Sequence, residues 1–186
     1  MGNSRAAGHS VAQISAMTTV PVLETERLIL RELREDDFPT YERIAADINV
    51  MKYMGGKTMD RVEAWRHMAF MVGHWKLRGY GYFALEEKTS GEFVGRAGFT
   101  NPAGWPGFEL GWTVAPEHQR KGFASEAARR LLRFAYEDLD RKHVISLIHK
   151  DNIPSRRVAE KLGETVEGET VVMGMPALIY GIDRPW

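Results

Sequence analysis

The stretch Val114-Ala-Pro-Glu-His-Gln-Arg-Lys-Gly-Phe-Ala-Ser-Glu126 carries the densest chemical signal in the chain. A β-branched and aromatic segment ends at Val114, Pro116 turns the chain, and a long helical pattern opens at Lys121-Gly122. At such a strand-to-helix junction several backbone N–H groups lack intrahelical acceptors, and the positive end of the helix dipole faces the same spot. The chemistry on offer is anion binding. Gly122 and Ala124 leave the main chain bare enough for a diphosphate to approach, while Gln119, Arg120 and Lys121 add donors and positive charge. Taken alone, the bare geometry favours an ordinary β-to-α connection with a glycine in it.

Other residues of chemical type stand around this stretch. In Phe108-Glu-Leu-Gly-Trp-Thr-Val114, strand alternation puts Phe108, Leu110, Trp112 and Val114 on one face and Glu109, Gly111 and Thr113 on the other. Asn152 opens a later helix, where it serves equally well as a plain N-cap. Gly55-Gly-Lys-Thr58 looks like the end of a phosphate-binding P-loop, but Met51 stands where that motif needs glycine and no strong strand precedes it, so a nucleotidase is discarded. His67/His74 and His143/His149 have no partners at zinc spacing, and no metal is expected. No Gly-x-Ser-x-Gly elbow is present, which removes the serine-hydrolase case.

The elements that must position these residues follow from periodicity. Arg27 to Leu33 reads as a first strand, Glu35 to Ala46 as a helix with an acidic start, and Asp60 to Leu77 as a second helix. Trp65, Met68, Met71 and Trp75 are expected in the core of that helix, with Ala69 and Val72 at matching intervals and Tyr80 and Tyr82 shaping an acceptor pocket. Residues 81–87, 92–100 and 108–114 are short aromatic and β-branched segments separated by turn residues, as in antiparallel hairpins. From Gly122 to Leu139 the period returns to helical, with Phe123, Ala127, Leu131, Ala135 and Leu139 every four residues. His143 to His149 reads as a buried strand, parallel to 108–114 across the helix. A last helix runs from Asn152 to Leu162 and stops at Gly163, and strands at 165–172 and 177–183 complete an α+β sheet.

Composition removes whole classes of function. The 186 residues suit one domain, read as 20–186 behind a flexible N-terminal leader, 1–19, in which Met17 offers an alternative start. Lys plus Arg and Asp plus Glu are both 25, so no global field draws in nucleic acid or an anionic membrane. The absence of cysteine excludes disulfides, Cys-ligated zinc and a cysteine nucleophile, and suits a reducing, cytoplasmic setting. No apolar run is long enough to span a bilayer; the longest, 171–182, is broken by Gly174, Pro176 and Gly181. Edge strands there leave room for a homodimer.

Gln119-Arg-Lys-Gly-Phe-Ala124 resembles the Q/R-x-x-G-x-G/A motif of the GNAT superfamily of acetyltransferases, in the family's place after Gly-Trp-Thr-Val-Ala-Pro. The resemblance runs over roughly 22–184. Leu23-Glu-Thr-Glu-Arg-Leu-Ile-Leu-Arg31 with Asp36-Asp37, then Phe108-Glu-Leu-Gly-Trp112, Asp151-Asn-Ile-Pro-Ser155 and Ala159-Glu-Lys-Leu-Gly163, is similar to the subgroup holding the ribosomal-protein N-terminal acetyltransferases. Several motifs in order are far more specific than one.

The resemblance implies the GNAT fold, a mixed, mostly antiparallel sheet with a central splayed parallel strand pair flanked by helices. It also implies acetyl-CoA as cosubstrate. The diphosphate would lie on the backbone of Gln119 through Ala124 and Ser125, with Arg120, Lys121, Gly122 and Phe123 inside that run. The pantetheine arm would pair with the backbone of Trp112, Thr113 and Val114, and Asn152 would reach it. Family analogy places Glu109 beside the thioester as base, against its reading as a solvent-facing strand residue. His149, at the end of its strand just before Asp151-Asn152, is a second base candidate, against its reading as a strand-end histidine facing solvent or the cofactor's edge. Ser155 stands as acid for the departing thiolate where many members use a tyrosine, the nearest late tyrosine being Tyr180. The acceptor would be a primary amine, on a peptide N-terminus or a small molecule. An acyl-CoA-binding module without turnover is the rival from another class.

Overall fold

The computed structural model describes residues 19–185, so the leader expected over 1–19 lies almost wholly outside the described residues. Eight strands form one sheet: β1 (Leu23–Glu24), β2 (Leu28–Arg31), β3 (Tyr82–Glu87), β4 (Phe93–Thr100), β5 (Glu109–Val114), β6 (His143–Ile148), β7 (Thr165–Val172) and β8 (Met175–Asp183). Their order is β1-β2-β3-β4-β5-β6-β8-β7. All neighbours are antiparallel except β5 and β6, which run parallel. The helices are α1 (Phe38–Ala46), α2 (Ile48–Met51), α3 (Arg61–Arg78), α4 (Phe123–Glu137) and α5 (Ile153–Leu162).

The parallel pair is where the sheet opens. β5 and β6 meet at Glu109 and Ile145, where the Ile145 amide donates to the Phe108 carbonyl at 3.0 Å. One residue on, a side chain takes over: Ser146 Oγ donates to the Leu110 carbonyl at 2.9 Å. Past that point the facing edges diverge, leaving main-chain groups that must find partners elsewhere.

Two apolar layers fix the helices on opposite faces. Phe123, Ala127, Leu131 and Ala135 of α4 pack with Leu28, Leu85, Leu110 and Val144 from the sheet. On the other face Phe38, Tyr41 and Ile44 of α1 and Ala64, Met68 and Met71 of α3 cover Ala84 and Phe93. The start of α3 is set by a capping box: Asp60 accepts from the Glu63 amide at 2.8 Å while Glu63 accepts from the Asp60 amide at 3.1 Å.

Local departures from the sequence reading have physical causes. The buried stripe of α3 is Ala64, Met68, Met71 and Trp75, whereas Trp65 is 49% exposed, contrary to its expected core placement, and Val72, at a matching interval, is 38% exposed. Apolar residues lie all round this helix, so its period alone does not select the inward face; packing onto α1 does. The strand expected over 27–33 is only Leu28–Arg31 and pairs with an unforeseen β1, because Arg31 turns to serve Asp37 and Glu86. β8 begins at Met175 rather than Ala177, since Met173 and Gly174, both left-handed (φ 51° and 77°), close a tight hairpin.

Candidate active site

The cradle at the start of α4 is assembled by residues far away in sequence. Gly122 takes the N-cap position with φ 88°, a left-handed conformation that a side chain would strain. Among the described residues no protein acceptor meets the amides of Lys121 through Ser125, and no side chain caps the helix. The loop is held from outside. Arg27 donates to the Lys121 carbonyl at 2.9 Å and to Glu126 Oε2 at 2.7 Å, while Thr25 Oγ1 and the Arg27 amide donate to Glu126 Oε1 at 2.6 and 2.9 Å. The Arg27 guanidinium also lies over the Phe123 ring, 4.8 Å from its centroid.

The side chains expected around the anion divide in two. Gln119 is spent on structure, donating to the Val114 carbonyl at 3.1 Å, and the Phe123 ring is buried in the core, so each offers only its backbone. Arg120 and Lys121 are exposed, and Arg120 itself is left-handed (φ 63°). Ala124 packs against the core and Ser125 is half-buried.

A small cavity opens between the diverging strands, lined by Gly111, Trp112, Thr113, Ser146, Leu147, His149, Asn152 and Ser155 among others. Asn152 is the N-cap of α5, its Oδ1 accepting from the Ser155 amide at 3.3 Å. Both α5 residues therefore border the strand gap. Tyr180 does not: it is buried outside both cavities, with Arg156 Nε donating to its hydroxyl at 3.0 Å and that hydroxyl donating to Glu160 at 3.4 Å.

A second cavity of about 330 Å³ adjoins the first. Its walls come from α1 (Tyr41, Ile44), α3 (His67, Phe70), the loop after β4 (Pro102, Trp105) and the β7–β8 hairpin tip (Met173, Met175). Gly55 borders it too, its amide donating to Met175 Sδ at 3.2 Å. Tyr80, expected in this pocket, is instead core: its ring meets Phe108 edge-on at 4.9 Å. His74 straps the helix end to the sheet through the Tyr80 carbonyl and the Asn101 amide.

The two cavities share Tyr53, Met54, Tyr82, Arg96, Glu109, Thr113, Leu147 and His149. Glu109 is the carboxylate at this junction and is only 8% exposed, not the solvent-facing residue of the alternative reading. Burial pushes its carboxyl up to about 7, against the opposing pull of hydrogen bonds from Trp105 and the Leu147 amide. Trp105 Nε1 donates to Glu109 Oε2 at 2.5 Å. His149 also reaches the junction, stacked on Tyr53 with centroids 5.3 Å apart, but its Nδ1 already accepts from the Asp151 amide at 3.2 Å. Gly111 makes room for Tyr82, since a Cβ there would collide with the Tyr82 hydroxyl. Sequence reasoning missed Arg96, Trp105 and Tyr53. No spacing rule joins an arginine in mid-strand to a tryptophan in a loop, and only the β4–β5 register brings them together.

Residues 27–165 match the model of the acetyltransferase (GNAT) domain family. The chain belongs to the GNAT acetyltransferase family. It is 31% identical over 146 residues to YnaD of Bacillus subtilis (strain 168), described as an uncharacterized N-acetyltransferase, covering 78% of this chain and 84% of that one. An acetyltransferase structure from Agrobacterium tumefaciens str. C58 superposes with a TM-score of 0.81 at 30% identity, covering 89% and 96% of the two chains. Mycobacterium smegmatis RimJ, solved in complex with CoA-disulfide, shares the fold with a TM-score of 0.72 at 21% identity, covering 87% and 86%. The open parallel pair and the bare helix start thus belong to an acetyl-CoA-dependent acyltransferase fold.

Proposed function

We propose that this chain moves the acetyl group of acetyl-CoA directly onto a primary amine, both substrates being bound at once. The observation that carries the reading is the junction: the strand-gap cavity and the larger apolar cavity meet at Glu109. A thioester delivered from one side and an amine from the other would face each other there.

The donor side fits the molecule it would hold. The unpartnered amides of Lys121 through Ser125 suit a diphosphate, with Arg120 and Lys121 adding charge. The pantetheine arm carries amides of its own, which suit the edge of Trp112 through Val114 that β6 leaves open, where Gln119 takes the Val114 carbonyl, with Asn152 and Ser155 alongside. RimJ, which shares this fold, is known bound to CoA-disulfide.

The chemistry needs a neutral amine, yet an α-amine or a lysine-type amine is largely protonated at pH 7. Glu109, with its carboxyl raised to about 7, takes that proton at neutral pH. The nitrogen lone pair then attacks the carbonyl carbon. Charge developing on the carbonyl oxygen is met by a main-chain N–H of the Trp112–Val114 strand. As the C–S bond breaks, the proton still to be lost from the nitrogen passes through the Ser155 hydroxyl, which gives its own proton to the departing sulfur and takes this one in return. No covalent enzyme intermediate is required. The acceptor amine belongs to a peptide N-terminus or a small molecule.

The test is free-thiol release from acetyl-CoA against a panel of amines and N-terminal peptides. Acceptor-dependent release is expected. Silence across the panel with measurable CoA binding would assign a binding module instead, and silence without binding would overturn the reading altogether.

A further inference from the structure

Two arginines are buried among the described residues, Arg31 and Arg96, and they are treated differently. Arg31 is neutralised twice: it pairs with both oxygens of Asp37 at 2.8 Å and with Glu86 at 2.6 Å. Arg96, 8% exposed, forms no ion pair among the described residues. Its guanidinium stacks on the Tyr82 ring, 4.4 Å from the centroid, and its polar neighbours are the Tyr41 and Tyr82 hydroxyls. A buried cation without a carboxylate partner is costly, and a ligand that brings one relieves the cost.

The surroundings sharpen the point. Arg96 lines both cavities, and Glu109 feels it only through space, with no hydrogen bond between them. His67, beside Tyr41 at 2.5 Å, is pushed down to about 4 by burial and is neutral at pH 7. The nearby phenols are neutral as well: burial raises Tyr41 and pushes Tyr82 up to about 12. A cation at Arg96 and a carboxyl at Glu109 therefore line one space, whose apolar wall includes Ile44, Met51, Met59, Phe70 and Met175. At about 330 Å³ this space sits at the small end of ligand pockets.

Building on the amine-acetylation reading, we infer that the acceptor is a small zwitterion of amino-acid type with an apolar side chain, its carboxylate docked on Arg96 and its amine presented to Glu109. An Arg guanidinium meets a carboxylate through paired N–H donors, and the ammonium complements Glu109. An amine without the acid would leave Arg96 buried with neutral phenols and no counter-charge, which a site built for a charged group rejects strongly.

The test compares matched acceptors on the wild-type protein by thiol release: phenylalanine against phenylethylamine, and leucine against isopentylamine. The acid-bearing member of each pair is expected to give kcat/KM about 100-fold higher or more. Arg96→Met is expected to erase that preference, chiefly through KM for the acid, while CoA binding measured by calorimetry is unchanged; Arg96→Lys retains part of it. Should Arg96→Met fail to fold, the wild-type pairs still decide. Decarboxylated amines turned over as well as their parent acids would overturn the inference and leave amine acetylation intact. So would N-terminal peptides lacking acidic side chains that outperform every free amino acid. Silence from all acceptors would instead strike the underlying reading, and the inference with it.

Discussion

On the proposed function, the donor side and the acceptor side of this site are built from different materials. The donor side is main chain: amides at the start of α4, held open by Gly122 and braced by Arg27 and Glu126, and the unpaired edge of the β5–β6 gap. The acceptor side is side chain: Arg96, Glu109, Tyr82 and Trp105, set among methionines and aromatics from helices, a loop and the terminal hairpin. A backbone cradle binds whatever carries the right phosphates and tolerates many sequences. A side-chain pocket encodes its ligand in particular residues, so changes on the two sides should separate cleanly in kinetics.

The largest separation is expected at Glu109. Glu109→Gln should lower kcat by about 100-fold or more, the usual scale for losing a general base, with CoA affinity unchanged. Full turnover would remove Glu109 from the chemistry. In the wild type, kcat/KM for the acceptor should rise with pH through about 7 as Glu109 ionises, and Glu109→Gln should flatten that limb.

Gly122→Val should act on the other side. A left-handed φ of 88° costs a side-chain residue about 1–2 kcal/mol, and the new Cβ would lie 3.4 Å from Arg27 Nη2. About a tenfold rise in KM for acetyl-CoA is expected, with the ranking of acceptors preserved. Arg27→Ala should give a smaller, severalfold rise, because it loosens the cradle without touching the ligand.

Stability should respond in the opposite sense to catalysis. Glu109 and Glu164 are both buried, and burial pushes each carboxyl up to about 7; Glu164 lies behind the sheet, where Ser146 Oγ donates to it at 3.2 Å. Between the usual glutamate range and pH 7 these two carboxyls hold more protons in the folded protein than in the unfolded chain, so their contribution to unfolding free energy falls as pH rises. His67, pushed down to about 4, acts the other way only below the ordinary histidine range of about 6.5. Tm should therefore drop from about pH 6.5 to about pH 8, above the range where the buried histidines oppose it. Glu109→Gln should recover part of the loss at pH 8 while abolishing most activity. The smallest effect is expected at Trp65→Ser: a side chain half in solvent on α3 should change stability by less than about 0.5 kcal/mol and leave turnover alone.

This contrast also explains what could be read from the sequence. Gly122 announces itself because only a special backbone needs glycine at a helix start, and the strong period of α4 fixes where that start lies. Glu109 was reachable because strand alternation assigns its face, although its burial was not. Arg96 was invisible: it sits within Phe-Val-Gly-Arg-Ala-Gly-Phe, and its importance depends on pairing with Thr113 across the sheet and on Tyr82 one strand further out. Trp65 misled for a related reason, since an all-round apolar helix needs a neighbour to say which side is in. Local rules read main-chain geometry well, whereas pockets made by register and long-range packing need coordinates.

If main-chain amides at the start of α4 hold the diphosphate of coenzyme A, as proposed, removing that diphosphate must cost most of the affinity. Calorimetric titration of the protein with CoA and, separately, with pantetheine, which has the arm but lacks the diphosphate, tests it most directly. CoA is expected to bind about 100-fold more tightly or better, a difference of near 3 kcal/mol supplied by charge-assisted bonds to the cradle. Equal affinities for the two, or no association with CoA at all, would contradict the account.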